Sequence, residues 1–264
     1  KRTSSALDRI EAHLAEPNLH LINIEDGIEA CFEANQIFAI IHAATAYGRE
    51  RESVADMLEA NVVLPTQLLR LGYHYGVPAF LNADTFFHEE LGLKLGEQLY
   101  TVCKKNFLSL GKSLGECAPG LKFLNFRIEQ MYGPNDRPEK FLGMLGKKLQ
   151  TKSKSIALTD GRQKRDFVYV TDVARAFVQA LQHLPRLGGY EEFGIGTGRS
   201  HSIREAVLML AEIAGAEAEL KWGAIPYRRG EIMESKAKCA RNKKIGWRAT
   251  TSLREGLKRT FESV

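Results

Sequence analysis

The chain has 264 residues, of which 44% are hydrophobic, so it can bury the core of one large domain or of two interleaved domains. No apolar run approaches 18 residues, the start is not signal-like and the four cysteines form no C-x-x-C pair, which predicts a cytoplasmic protein without a membrane span, disulfide framework or metal site. The net charge is +5, and the basic stretch at 147–165 is expected to attract phosphate groups. This stretch has neither interleaved aromatic residues nor a nucleic-acid motif, so we expect no nucleic-acid partner.

The first half of the chain alternates short apolar runs with amphipathic stretches, the pattern of parallel strands connected by helices. We predict strands at 19–24, 37–42, 78–82 and 123–127. We also predict three helices: one that Asp26 caps at its start, one over 51–73 and one over 96–114. The run at 37–42 is apolar throughout, which predicts a strand covered on both faces. This order implies right-handed crossovers and a doubly wound parallel sheet.

The alternation ends near residue 134, and shorter elements follow. These are a strand at 167–170 and helices that begin at Ile203 and Leu253. We therefore divide the chain into a sheet domain, residues 1–134, and a smaller region, residues 135–264, parts of which interleave with the sheet.

The segment from Tyr100 to Lys104 (YTVCK) lies within the predicted helix at 96–114. Its spacing places a phenol and an ammonium group on one helical face. A nearby cation favours the phenolate and lowers the pKa of the phenol, which makes Tyr100 a candidate proton carrier to a substrate hydroxyl or carbonyl. An amphipathic surface helix has the same pattern, so the interpretation depends on the motifs that follow.

Four further segments follow in a fixed order: RIEQMYGP at 127–134, RDFVYVTDV at 165–173, FGIGTG at 193–198 and IGW at 245–247. Together with His42-Ala43-Ala44 upstream, this order resembles the extended short-chain dehydrogenase/reductases that act on nucleotide sugars. The resemblance covers essentially the whole chain. It implies a Rossmann fold in which residues 1–134 bind a dinucleotide and residues 135–264 bind a nucleotide-diphosphate sugar. It also implies a homodimer formed through the Tyr-Lys helix and its neighbour.

The family opens with a strand and a glycine-rich turn, where the pyrophosphate meets free backbone N–H groups. No G-x-x-G-x-x-G occurs in this sequence, and KRTSS at 1–5 resembles the end of the family's second strand. The resemblance therefore implies that the first strand, the glycine turn and most of the second strand precede Lys1. Lys1 and Arg2 at that strand end suit the 2′-phosphate of NADP, and NAD is the alternative if a carboxylate stands just before Lys1.

The resemblance assigns further cofactor contacts to the first domain. Asn23 and Ile24 match the turn that meets adenine, although a plain strand-end turn has the same pattern. The small side chains of Ala43 and Ala44 would let the backbone approach the dinucleotide, although helix packing also favours alanine there. The remaining members of the implied set are Thr45, Asn82, Tyr100 and Lys104.

Relatives carry a Ser or Thr after the strand that precedes the tyrosine helix, and its hydroxyl orients the substrate oxygen. Alignment of FLNADTFF at 80–87 places Ala83 at that position and Thr85 two residues beyond. We expect Thr85 to take the role, and the alternative is a catalytically impaired site. Asp84 is followed by Thr85 rather than by a second acid, which disfavours a 4,6-dehydratase.

On the substrate side, the resemblance implies that Arg165 and Arg228 hold the diphosphate, because guanidinium groups match phosphate oxygens. A solvated loop is the alternative for Lys140. The implied substrate residues are, in full, Tyr47, Thr85, Gln130, Lys140, Arg165 and Arg228. Three polar residues are expected to be structural instead: Asn61, Asp166 and Asp172.

The segments KRTSS, IFAIIHAATAYGRE and LNADTFF look like the CDP-abequose synthase branch, whose enzymes reduce a 4-keto-deoxy sugar on a nucleotide carrier. The resemblance implies that NADPH gives hydride to the C4 ketone while Tyr100 protonates the alkoxide. Lys104 would hold the nicotinamide ribose. An NAD-dependent 4-epimerase and a dinucleotide-binding protein with an impaired site remain the alternatives.

Overall fold

The computed structural model describes residues 7–48, 52–87, 95–136, 140–151 and 153–262. The helices are α1 Glu29–Ala34, α2 Val54–Leu58, α3 Leu64–His74, α4 Leu95–Cys117, α5 Phe141–Gln150, α6 Val170–Gln182, α7 Ile203–Ile213 and α8 Leu253–Glu262. The strands are β1 Ala39–His42, β2 Ala79–Thr85, β3 Lys122–Ile128, β4 Gln130–Tyr132, β5 Ser155–Ala157, β6 Lys164–Arg165, β7 Phe167–Tyr169, β8 Tyr190–Ile195, β9 His201–Ser202 and β10 Glu219–Lys221. No helix in these ranges is both long enough and apolar enough to cross a membrane.

Four parallel strands form the main sheet in the order β1-β2-β3-β8, and helices pack on both of its faces. On one face Phe80 of β2 packs on Phe107 of α4, with ring centroids 5.7 Å apart. On the other face Phe126 of β3 stacks on Phe177 of α6 at 4.1 Å. The predicted doubly wound parallel sheet is confirmed.

A second apolar core lies between α5, α7 and α8, and it includes the buried side chains of Leu145, Val207 and Leu257. Strand β8 and helix α6 also follow residue 134 in the sequence, yet Phe193 and Phe177 belong to the core of the main sheet. The second half of the chain thus interleaves with the first, while the division at residue 134 stays a prediction.

Three predictions for the first 42 residues are wrong. Residues 19–24 form no strand, since no described strand pairs with them. Asp26 lies in a 3₁₀ turn, Ile24–Asp26, and does not cap α1, which begins at Glu29 without a side-chain cap. Strand β1 is not covered on both faces: Ile40 and His42 are buried on one face, whereas Ile41 on the other is 50% exposed.

Candidate active site

Tyr100 and Lys104 of α4 lie beside the carboxyl end of β2, where both are buried. The Lys104 Nζ donates a hydrogen bond to the Ala83 carbonyl oxygen at 2.9 Å. It also lies 6.0 Å from the centroid of the Tyr100 ring. The two side chains are therefore buried next to the sheet. The alternative that the four-residue spacing left open, a pair on an exposed helix surface, does not apply.

Two threonine side chains lie within hydrogen-bonding reach of the Tyr100 phenol: Thr85, at the end of β2, and Thr45, in the loop after β1. The Thr85 Oγ1 also accepts a hydrogen bond from the Phe87 backbone N–H at 3.2 Å, which orients the side chain. Ala83 instead packs against the apolar core shared with α6. Of the two alignment positions, Thr85 is the one that meets the phenol.

Burial governs the protonation of both groups. It raises the pKa of Tyr100 well above its ordinary value; Tyr47 adds to this rise, and the neighbouring Thr85 and Thr45 side chains oppose it. Burial also lowers the pKa of Lys104 to about 8, and Asp84 opposes that shift. The predicted fall in the pKa of the phenol is wrong, because the cost of desolvating a phenolate exceeds any attraction to Lys104.

A cavity of about 370 Å³ opens next to this pair. Tyr47 connects the two, since its ring centroid lies 5.1 Å from that of Tyr100. Among the other lining residues, the Lys140 Nζ pairs with Asp136 Oδ1 at 2.8 Å. The lining residues are Ala43, Thr45, Tyr47, Met131, Tyr132, Gly133, Pro134, Asn135, Asp136, Lys140 and Val170. The structure thus brings four predicted site residues to one cavity.

Ile24 lines a second cavity, of about 620 Å³, between the turn that contains it and α2 and α3. The preceding residue, Asn23, has a buried Oδ1 atom without a hydrogen-bond partner among the described residues. Such an orphaned acceptor fits an exocyclic amine, the group that the resemblance assigns to Asn23.

The two arginines predicted to hold a diphosphate lie close enough to influence each other. Burial lowers the pKa of Arg165, and the charge of Arg228 adds to this effect. Each is held by a carboxylate: Arg165 pairs with Glu231 at 2.6 Å, and Arg228 pairs with Glu97 of α4 at 2.9 Å. Gln130 is only half-buried and begins β4 beside β7.

Asn82 does not line either cavity. It is fully buried, accepts a hydrogen bond from His42 Nδ1 at 3.3 Å and donates one to Asn125 Oδ1 at 2.9 Å. Strand alternation places it on the same side as Phe80, facing α4. The predicted contact between Asn82 and a cofactor is therefore corrected: its polar atoms are engaged inside the interface between sheet and helix.

Ala43 and Ala44 follow β1 and are exposed, so the backbone there is accessible. The residues predicted to choose between NADP and NAD, Lys1 and Arg2, lie outside the described residues. Within the described ranges, no group of three or more His, Cys, Asp or Glu side chains is arranged to hold a metal ion.

The three residues expected to be structural make internal contacts. Asn61 is buried and accepts a hydrogen bond from Thr45 Oγ1 at 2.9 Å, which fixes the loop after β1. Asp166 accepts from the Gly198 backbone N–H at 2.8 Å, and Asp172 accepts from the Thr251 backbone N–H at 2.9 Å. The two aspartates thus join segments that are distant in the sequence.

Residues 1–196 match the NAD dependent epimerase/dehydratase family. The chain belongs to this family. A CDP-abequose synthase from Salmonella muenchen is 33% identical over 238 residues, which cover 90% of this chain and 80% of the relative. A UDP-glucose 4-epimerase from Thermotoga maritima, solved with UDP-glucose, is 25% identical with a TM-score of 0.77, over 90% of this chain and 81% of that one. A UDP-glucuronic acid 4-epimerase from Bacillus cereus shares the fold, with a TM-score of 0.83 at 21% identity over 97% of this chain and 85% of that one.

The family predicted from the ordered motifs is thereby confirmed, and the chain is an enzyme of the epimerase/dehydratase type. The sequence interpretation gave Asp84 no role beyond disfavouring a dehydratase. In the structure its carboxylate is buried and affects the pKa values of both Tyr100 and Lys104. The sequence did contain a signal for this role of Asp84. A carboxylate inside an apolar strand is costly unless dedicated partners hold it, so its presence there indicates such partners.

Proposed function

We propose that the protein reduces the C4 ketone of a nucleotide-linked deoxyhexulose, with NADPH as the reductant and Tyr100 as the proton donor. The observation that carries the proposal is the meeting of the Tyr100 phenol with two threonine hydroxyls and Lys104 beside a cavity. The likeness to a CDP-abequose synthase supports a nucleotide-sugar substrate.

The reduced dinucleotide supplies a hydride when it is bound. Thr85 would orient the ketone oxygen, and Tyr100 would donate its phenolic proton to that oxygen as the alkoxide forms. Because burial raises the pKa of Tyr100, the phenol stays protonated at neutral pH, as a donor in the reductive direction requires. Lys104 would meet the nicotinamide ribose, and the exposed backbone at Ala43 and Ala44 would admit the dinucleotide.

The choice of NADP over NAD rests on Lys1 and Arg2, which suit a 2′-phosphate. The Asn23 Oδ1, which has no partner among the described residues, directly precedes Ile24 of the second cavity and supports an adenine near that turn for either dinucleotide. We expect NADPH to bind more tightly than NADH in a fluorescence titration, and Arg2→Ala to narrow the difference several-fold. Equal affinities in the unmodified protein would contradict the assignment.

A nucleotide-sugar 4-epimerase that keeps NAD bound is the second candidate, and the likeness to the UDP-glucose 4-epimerase favours it. A reductase consumes one NADPH for each sugar reduced, whereas an epimerase consumes none. The decisive experiment offers nucleotide 4-keto-deoxy sugars with NADPH and compares the loss of NADPH absorbance with the product formed. Conversion without consumption would favour the epimerase, and dinucleotide binding without any conversion would favour an impaired site.

Replacement of the phenol tests the role of Tyr100 directly. Tyr100→Phe should lower turnover by roughly 10²- to 10⁴-fold, as loss of a general acid does, while dinucleotide binding is kept. Tyr75→Phe is the matched control, because Tyr75 lies at the end of α3 and is 36% exposed. Near-normal turnover in Tyr100→Phe would overturn the mechanism.

We also propose a homodimer through α4 and its neighbour α3. Both helices expose large apolar side chains, which supports an association through this face. Examples are Val102, Leu110 and Tyr73, which are 39%, 49% and 50% exposed.

A further inference from the structure

A row of polar side chains crosses the main sheet on the side that faces α4. His42, Asn82, Asn125 and Glu192 are register partners on β1, β2, β3 and β8. The Asn82 Oδ1 can only accept, so His42 Nδ1 carries the hydrogen in their 3.3 Å contact. Asn82 donates in turn to Asn125 at 2.9 Å, and Asn125 donates to Glu192 at 3.2 Å. Every donor in the row therefore points toward a carboxylate.

Asp84 joins this row next to the candidate active site. It is 4% exposed, and its Oδ2 accepts the second Asn125 Nδ2 hydrogen at 2.9 Å. Its Oδ1 accepts from the Thr85 backbone N–H at 2.8 Å, so the carboxylate holds the residue that meets the phenol. The preceding carbonyl, that of Ala83, is the acceptor for Lys104. Two donors, Asn125 Nδ2 and the Thr85 backbone N–H, thus fix the Asp84 carboxylate. Asp84 also lies in the chain between Ala83, which contacts Lys104, and Thr85.

The Lys104 ammonium group needs a nearby negative charge, because at 3% exposure it has lost most of its hydration. The titratable groups that act on it include Asp84 from β2, His42 from β1 and Cys103 from its own helix. Tyr100 also faces it from α4. Asp84 is the one carboxylic acid among these groups, and it leads the effects that oppose the lowering of the Lys104 pKa by burial.

We propose that Asp84 is a positioning residue that keeps the buried Lys104 side chain in its ammonium form and aimed across the end of β2. The proposal deepens the function proposed above, in which Lys104 meets the nicotinamide ribose. Asn125 and the Thr85 amide hold the carboxylate, Asn82 donates to Asn125, and His42 holds Asn82 in turn. The polar row acts through Lys104 rather than on the substrate.

The test follows the titration of Lys104 by NMR in protein that carries ¹³C-labelled lysine and no dinucleotide. Lys104→Arg assigns the resonance. In the unmodified protein the midpoint should lie near pH 8. Asp84→Asn keeps the shape of the side chain and removes its charge, so the midpoint should fall by roughly one pH unit or more. Asp84→Glu should restore most of the shift, and an unchanged midpoint in Asp84→Asn would overturn the proposal.

Asp172→Asn is the matched control, because Asp172 is equally buried but holds Thr250 and Thr251 far along the chain. It should lower the unfolding temperature and leave the Lys104 midpoint in place. If Asp84→Asn does not fold, Asp84→Ser tests the same charge. The unmodified protein gives an independent result: the Asp84 carboxyl carbon should report an inflection at the Lys104 midpoint, and its absence would contradict the proposal.

The proposal and the proposed function fail separately. The NMR titration needs no substrate, so it decides the role of Asp84 even if no nucleotide sugar is turned over. If reduction is observed, Asp84→Asn should shift the alkaline limb of the kcat/KM profile to lower pH by the same amount as the NMR midpoint. A uniform loss of rate at all pH values, with no shift in either profile, is the result expected of a merely structural residue.

Discussion

Gly48 and Gly96 approach each other so closely that a Cβ on Gly96 would lie 2.5 Å from the Gly48 carbonyl oxygen. This contact joins the loop after β1 to the first turn of α4. Glu52 fixes the same loop, because its Oε2 accepts from the backbone N–H groups of Tyr47 at 2.7 Å and Gly48 at 2.8 Å. The two contacts set Tyr47 over Tyr100 at the entrance to the smaller cavity.

Gly96→Ala should therefore displace the loop and the Tyr47 ring. A displacement of about 1 Å at a reacting centre costs on the order of 10²-fold in rate, and we expect a loss of that size in steady-state turnover. Gly146→Ala is the control, since a Cβ there meets only Phe261 at 3.9 Å. Equal turnover in both variants would show that the loop contact does not position Tyr47.

The second prediction separates Thr85 from Ala83. Thr85→Val removes the hydroxyl that meets the Tyr100 phenol, so turnover should fall by on the order of 10²-fold, as for one lost transition-state donor. Ala83→Ser should change little, because Ala83 packs against the apolar core on the other side of β2. Full activity in Thr85→Val, with a gain in Ala83→Ser, would assign the role to position 83.

The strands and the helix that position the candidate active site were predictable from the sequence. The apolar runs that predicted a strand correctly are those that also pair with a neighbouring strand in the sheet. The strands predicted at 78–82 and 123–127 correspond to β2 and β3, and the helix predicted at 96–114 corresponds to α4. The run at 19–24 failed because an apolar pattern specifies buried surface, whereas a strand also needs a neighbour that supplies backbone hydrogen bonds. No described strand supplies them.

The chemistry of the site was less predictable than its residues. The four-residue spacing correctly placed Tyr100 and Lys104 together, but the direction of the phenol's pKa depends on burial, which the spacing does not specify. Likewise Asn82 and Asn125 are 43 residues apart, and only the register of β2 and β3 makes them partners. Sequence pattern identifies which side chains are polar, and the pairing of strands decides which of them meet.

The third prediction concerns stability in acid. Burial lowers the pKa of His42 from 6.5 to about 4, so the unfolded chain takes up this proton more readily than the folded one. The contribution of His42 is present above pH 6.5 and is lost as the pH falls toward 4, by up to about 3 kcal/mol. His42→Gln should flatten this part of a plot of the free energy of unfolding against pH, measured by urea denaturation. An unchanged slope between pH 6.5 and pH 4 would contradict the assignment.

Glu129 should act in the opposite sense, which makes it the sharper test. Burial raises the pKa of its carboxyl group from 4.5 to about 7, although a hydrogen bond from Ser235 at 2.8 Å opposes the rise. The folded chain therefore holds the proton more tightly, and this contribution to stability is lost as the pH rises through 7. Glu129→Gln resembles the protonated form, and its side-chain carbonyl can still accept from Ser235.

We expect Glu129→Gln to leave stability nearly unchanged at pH 4.5 and to raise the free energy of unfolding at pH 8 by up to about 3 kcal/mol, because no charge is then buried. Urea denaturation at the two pH values measures the difference. Glu255→Gln is the control: Glu255 forms a solvent-exposed pair with Arg259 at 2.7 Å, and the loss of such a screened pair should change stability little at either pH. Equal stability of Glu129→Gln and the unmodified protein at pH 8 would mean that the Glu129 carboxylate is solvated in the folded state.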